Sequence, residues 1–149
     1  MSKHEVWKDI EGYEGLYQVS NTGRVRSLNY KRQNKIKTLK LFKTYRGYYR
    51  VSLIKDKKKK DVFIHRLVAK AFLNSIPEKT YINHKNGNKV DNSVTNLEWC
   101  TQSENIKHAY DTGLKMKYFG KKHWNYKNGK YVKVEVTNEH WTNTLWKRK

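Results

Sequence analysis

Apolar and polar residues alternate over Leu16–Ser20 (LYQVS) and again over Arg24–Leu28 (RVRSL), with Asn21-Thr22-Gly23 between them. Alternation puts every second side chain on one sheet face, and Asn and Gly supply the positive φ of a short turn, so the pattern predicts a hairpin. A second pair, Gly47–Lys55 (GYYRVSLIK) and Asp61–Arg66 (DVFIHR), is bridged by Lys57–Lys60, which reads as a solvated hairpin tip. The period then changes. Leu67, Val68, Ala71 and Phe72 recur at helical spacing within HRLVAKAFL, predicting a short helix. A loop with the one proline, Pro77, follows.

The next stretch predicts a strand over Thr80–His84 (TYINH), a polar loop over 85–96, and a returning strand over Leu97–Cys100 (LEWC). Thr101 and Glu104 have the spacing of a capping box, and Gly113 stands where a helix stop belongs, placing a helix at about 102–112. The unit is therefore strand, loop, strand, helix. Beyond Gly113, Lys alternates with Tyr, Phe and Trp, YVKVEV suggests one more strand, and ten Lys/Arg face only Glu135 and Glu139. These elements describe an α+β chain in three segments: 1–65, 66–113 and a basic extension, 114–149.

Charge changes the picture. The 149 residues hold 33 Lys+Arg against 13 Asp+Glu, formally +20, yet 11 Tyr and 5 Trp provide a real core. A field of that sign calls for a polyanion, and nucleic acid is the commonest one. The chain has no long apolar run and no basic amphipathic helix with a clean apolar face, which sets a membrane aside. With Cys100 as the single cysteine, neither an internal disulfide nor a cysteine zinc site can form. The first residues carry no apolar signal core, so cytoplasmic residence is expected.

Chemistry concentrates in the last unit. Asn83 and His84 end its first strand, while Asn105 and His108, three apart, share one face of its helix. If that helix packs on the hairpin, Asn105 approaches the Asn83-His84 corner. Amide oxygens are hard, neutral ligands that suit Mg²⁺ when a substrate phosphate supplies the charge. An imidazole is a plausible general base at neutral pH.

Asn83-His84, Gly87-Asn88, Asn92, Asn96-Leu97-Glu98-Trp99, Thr101, Asn105 and His108-Ala109 together closely resemble the HNH endonucleases of the phage and intron-encoded homing branch. EVWKDIEGYEGLYQVSNTGRVRSL, from Glu5 to Leu28, resembles the nuclease-associated modular domain that precedes that unit, and HRLVAKAF fits between them. The resemblance covers roughly residues 5–113. It implies an antiparallel β-rich N-terminal module fused to a ββα-metal (His-Me finger) nuclease unit. It also implies His84 as general base, Asn83 and Asn105 as ligands of one divalent ion (Mg²⁺, with Mn²⁺ a substitute), and Asn96 as a brace orienting His84. His108 is implied at the scissile phosphate, at the ion, or as a cap on the site. Many members carry Asp where this chain has Asn83, which implies weak metal binding without DNA.

Other readings stand beside these. Asn86-Gly87-Asn88 and Asn92 fit loop geometry, and Trp99 and Cys100 fit the core. Trp7, Tyr13 and Tyr17 fit sheet packing better than base stacking. His65 closes a strand, either meeting phosphate with Arg66 or packing inside. Arg24, Arg26, Lys57, Lys58, Arg66, Lys85, Lys115, Lys117, Lys121 and Lys122 are the candidate DNA contacts. The expected activity is nicking of duplex DNA by a monomer. The rivals are a binding protein with a decayed site and a basic RNA-associated protein.

Overall fold

Seven strands and a helix lie upstream of the histidine-bearing hairpin. A computed structural model describes residues 4–114 and, as backbone alone, the strands Trp124–Lys127, Lys130–Lys133, Glu135–Val136 and Trp141–Thr142. Strands β1 (Trp7–Asp9), β2 (Tyr17–Ser20), β3 (Val25–Ser27) and β4 (Lys37–Thr38) form an antiparallel sheet in that order. The predicted turn closes β2 on β3, with Val19 opposite Val25 and Gly23 at φ +88°. Asn21 ties the N-terminal segment down, its Oδ1 accepting from Val6 N–H at 3.1 Å and its Nδ2 donating to His4 C=O at 3.2 Å.

A second sheet orders β5 (Phe42–Lys43), β6 (Tyr49–Lys55) and β7 (Lys58–Phe63). Its hairpin tip is shorter than the lysine run suggests. Asp56 and Lys57 alone make the turn, both at positive φ (50° and 62°), and Lys58–Lys60 already pair with β6. A two-residue turn with both φ positive matches the twist of the flanking strands, so the ladder extends into the lysines.

Helix α1 (Ile64–Phe72) begins before the predicted start, so His65 is helical and does not end a strand. The reason lies in the burial pattern. Ile64 joins Leu67 and Val68 on the inward stripe, so the 3.6-residue period takes hold at Ile64. Phe63, extended at φ −74°, ψ 137°, is the junction.

The inward stripe of α1 packs on β2, β6, β7 and β9 (Leu97–Cys100). Val19, Val25, Val51, Leu53, Ile64, Val68 and Leu97 are fully enclosed there, each stabilising the fold by roughly 1.5–3 kcal/mol relative to exposure. Tyr13 and Tyr17 pack against this cluster as expected. Cys100 is buried, whereas Trp99 is only half-buried. Strand β8 (Tyr81–His84) pairs antiparallel with β9, and α2 (Gln102–Asp111) follows. The capping box is formed: Thr101 Oγ1 accepts from Glu104 N–H at 3.2 Å, and Glu104 Oε2 accepts from Thr101 N–H at 2.8 Å. The fold is mixed α+β with antiparallel sheets.

The chain divides into two compact units, Met1–Asn105 and Ile106–Lys149. In the second, β10 (Trp124–Lys127) pairs with β11 (Lys130–Lys133), and β12 (Glu135–Val136) with β13 (Trp141–Thr142). Lys115, Lys117, Lys121 and Lys122 lie outside the described residues. Among those described, no helix is long and apolar enough to cross a membrane.

Candidate active site

The loop from Lys85 to Asn96 is built on its own carboxamides. Asn86 Oδ1 accepts from Asn88 N–H at 2.8 Å, and Asn88 Oδ1 from Val90 N–H at 3.2 Å. Asp91 accepts from the Ser93 hydroxyl at 2.6 Å and from Asn86 Nδ2 at 2.9 Å. Short polar side chains bonding the backbone two residues on are the chemistry of Asx turns. Asn96, buried, fastens both ends: its Oδ1 accepts from Asn86 N–H at 2.9 Å, and its Nδ2 donates to Asp91 C=O at 2.8 Å. The brace predicted for Asn96 is thus present as geometry.

His84 ends β8 only 6% exposed, with Nε2 3.3 Å from Asn92 Oδ1. Asn92 Nδ2 donates to Val90 C=O at 3.1 Å, which turns Oδ1 toward the ring. An amide oxygen only accepts, so in the neutral ring Nε2 carries the proton and the lone pair sits on Nδ1. Asn92 was read from the sequence as loop geometry. The structure makes it the partner that sets this tautomer, a link visible only once the loop closes back on β8. Asn92 is itself wedged against Gly23, where an added Cβ would stand 2.8 Å from Asn92 Cβ.

Aromatic rings wall the imidazole. His65 meets it edge-on at 5.4 Å between centroids, and Tyr48 lies 6.0 Å away. Phe63 stacks on His65 at 5.5 Å. Lys89 Nζ sits 4.8 Å over Tyr48 and donates to Arg46 C=O at 3.2 Å. Burial holds His84 below the ordinary imidazole value and Lys89 pushes the same way, while Asn92 and Asp91 oppose. Burial pushes His65 down to about 4, helped by the charges of His84 and Arg66. His65 Nδ1 is buried without a hydrogen-bond partner. Of its two sequence readings, His65 takes the packed one, and Arg66 is exposed.

Asn83 is also 6% exposed, and its Nδ2 donates to Glu98 Oε1 at 2.8 Å across the β8–β9 pair. That bond fixes the amide's sense: Nδ2 faces Glu98 and Oδ1 faces away from it. Asn105 is half-buried in α2, whose start is tied to the chain entering β8 by Lys79 Nζ–Glu104 Oε1 at 2.8 Å. His108 belongs to the second unit. No group of three His, Cys, Asp or Glu side chains able to hold a metal exists among the described residues. A donor set of neutral carboxamide oxygens, Asn83 at the end of β8 and Asn105 in α2, suits a hard divalent cation that draws its remaining ligands from substrate oxygens and water.

Among the candidate DNA contacts, Lys57, Lys58, Arg66 and Lys85 are exposed. Arg26 is held: its Nε and Nη2 both donate to Gln18 Oε1, at 2.9 and 2.6 Å, and its guanidinium lies 4.3 Å over Trp7. Arg24 pairs with Glu5 at 3.0 Å. Trp7 therefore serves as a platform for arginines, a role its period-2 position did not reveal.

The HNH endonuclease family profile matches residues 62–107, and the NUMOD4 motif matches residues 5–54. The chain is 46% identical over 107 residues to DNA endonuclease I-HmuI of Bacillus phage SP01, covering 72% of this chain and 59% of that one. It is 41% identical over 116 residues to an uncharacterised HNH endonuclease of Acanthamoeba polyphaga mimivirus, covering 78% of this chain and 33% of the other. The solved structure describing DNA binding and cleavage by the HNH homing endonuclease I-HmuI aligns with a TM-score of 0.66 at 45% identity, over 74% of this chain and 60% of that one. The chain thus spans about three-fifths of the length of I-HmuI.

Proposed function

Because the chain belongs to the HNH endonuclease family and carries a NUMOD4 motif ahead of that unit, we propose that it hydrolyses phosphodiester bonds of duplex DNA. The observation that carries this reading is the corner at the end of β8. There His84, whose Nε2 faces Asn92 Oδ1, directly follows a buried Asn83 whose amide sense is fixed by Glu98.

HNH endonucleases are generally dependent on a divalent metal. Asn83 and Asn105 would hold the ion through their amide oxygens, with Mg²⁺ the best match to hard neutral donors. When bound, such an ion stabilises negative charge on the phosphate and the departing oxygen. His84 takes the proton of the attacking water at Nδ1 while Nε2–H stays on Asn92. Burial serves this role, since a lowered pKa keeps the ring neutral at physiological pH. Asn96 holds the loop that carries Asn92 and so keeps His84 in register. Arg24, Arg26, Lys57, Lys58, Arg66 and Lys85, with the lysines after Gly113, neutralise the DNA backbone. Hydrolysis on this scheme leaves 5′-phosphate and 3′-hydroxyl. One site per chain nicks one strand, and the enzyme works as a monomer in the cytoplasm.

The test is conversion of supercoiled plasmid to the nicked form with Mg²⁺ and with EDTA, alongside binding to duplex DNA and to RNA of matched length. Metal-dependent nicking with preference for DNA supports the reading. Binding without nicking means the site has decayed, and stronger binding to RNA favours the RNA-associated rival.

A further inference from the structure

Glu98 is an exposed residue of β9, directly across from Asn83 in the β8–β9 register. An exposed strand glutamate in so basic a chain would ordinarily be a solubilising residue. Its contact sets it apart. The carboxylate accepts a 2.8 Å hydrogen bond from Nδ2 of a carboxamide that is almost wholly buried. Among the described residues no lysine, arginine or histidine forms an ion pair with Glu98; Lys79, paired with Glu104, feels its charge at longer range.

Two consequences follow from that bond. The first is geometric: with Nδ2 committed to Glu98, the Oδ1 of Asn83 points the other way and cannot exchange places with the nitrogen. The second is electronic. An amide N–H that donates to an anion shifts density through the amide resonance onto its oxygen, which becomes a stronger donor. A partner that orients a ligand and raises its basicity changes metal affinity substantially without touching the metal.

We infer that Glu98 is a positioning residue for the metal site, acting through Asn83. It supplies negative charge one hydrogen bond removed from the ion, where the ligand itself is a neutral carboxamide. The pair Asn83–Glu98 does jointly what a single acidic ligand does alone. This inference rests on the reading of Asn83 as a ligand given above.

The experiment measures Mn²⁺ binding by the electron paramagnetic resonance signal of the free ion. The full chain carries His84→Ala, so that a short mixed-sequence duplex stays uncut, and is titrated in complex with that duplex. Glu98→Ala removes both orientation and charge, and Glu98→Gln keeps a hydrogen-bond acceptor but removes the charge. Glu98→Ala is expected to weaken Mn²⁺ binding about tenfold, with Glu98→Gln between it and the parent. Duplex affinity without metal should stay unchanged in both. Mn²⁺ binding by Glu98→Ala equal to the parent overturns the inference, as does an equal loss of metal and metal-free duplex binding. Asn83→Ala separates the two layers. If Asn83→Ala weakens Mn²⁺ binding and neither Glu98 variant does, only the inference falls; if Asn83→Ala has no effect, the ligand assignment falls with it.

Discussion

Acidification should destabilise this fold through His65 in particular. The imidazole is 9% exposed, rings of Phe63, Tyr48 and His84 surround it, and its pKa drops from 6.5 to about 4 on folding. Its folded pKa lies below the unfolded one, so between those values the unfolded chain binds the proton and the folded chain does not. Stability therefore falls as pH descends through that window. The full shift is worth roughly 3 kcal/mol, of which roughly 2 kcal/mol is lost between pH 7 and pH 5. His84, also held below its ordinary value by burial, weakens the fold in the same window, and carboxylates such as Asp91 and Asp61 do so at lower pH, so the wild-type profile alone does not isolate His65. His65→Phe does. It keeps a ring against Phe63 and His84, cannot titrate, and removes a buried nitrogen that has no partner. Urea unfolding followed by tryptophan fluorescence at pH 7 and pH 5 should show the wild type losing roughly 2 kcal/mol more than the variant. Parallel losses in the two proteins would refute the reasoning.

Other consequences are more local. Gly23→Ala combines a φ of +88° with a clash on Asn92, so it should cost ~1–3 kcal/mol and reduce nicking while metal-free DNA affinity holds. Asn96→Ala leaves Asn86 N–H and Asp91 C=O without their partner, and thermal or urea unfolding should register a loss of ~1–3 kcal/mol. Because burial lowers the His84 pKa, the acid limb of single-turnover nicking should fall below 6.5; a limb above that value would contradict the neutral buried base.

The sequence carries some of these features far better than others. Hairpin β2–β3, strands β8 and β9 and helix α2 follow from alternation, turn residues and a capping box, all local signals. Strands β1, β4 and β5 are two or three residues long, too short for a period to register. The start of α1 was displaced because Ile64 satisfies both a strand alternation and a helix stripe, and packing on β2 and β6 decides between them. Within the site, the Asn96 brace lies within one loop and matches the family pattern. Asn92 on His84, Glu98 on Asn83 and Gly23 against Asn92 were not legible, because each needs a contact between elements that only folding brings together.

The central claim is that His84 acts on water and does not merely hold the fold or the DNA. Single-turnover nicking and metal-free duplex affinity, measured together for wild type and His84→Ala, test it most directly. Nicking is expected to be abolished while affinity stays within about threefold, a difference of less than ~1 kcal/mol. Cleavage that survives the substitution, or affinity that falls in step with it, would mean that His84 is not the base.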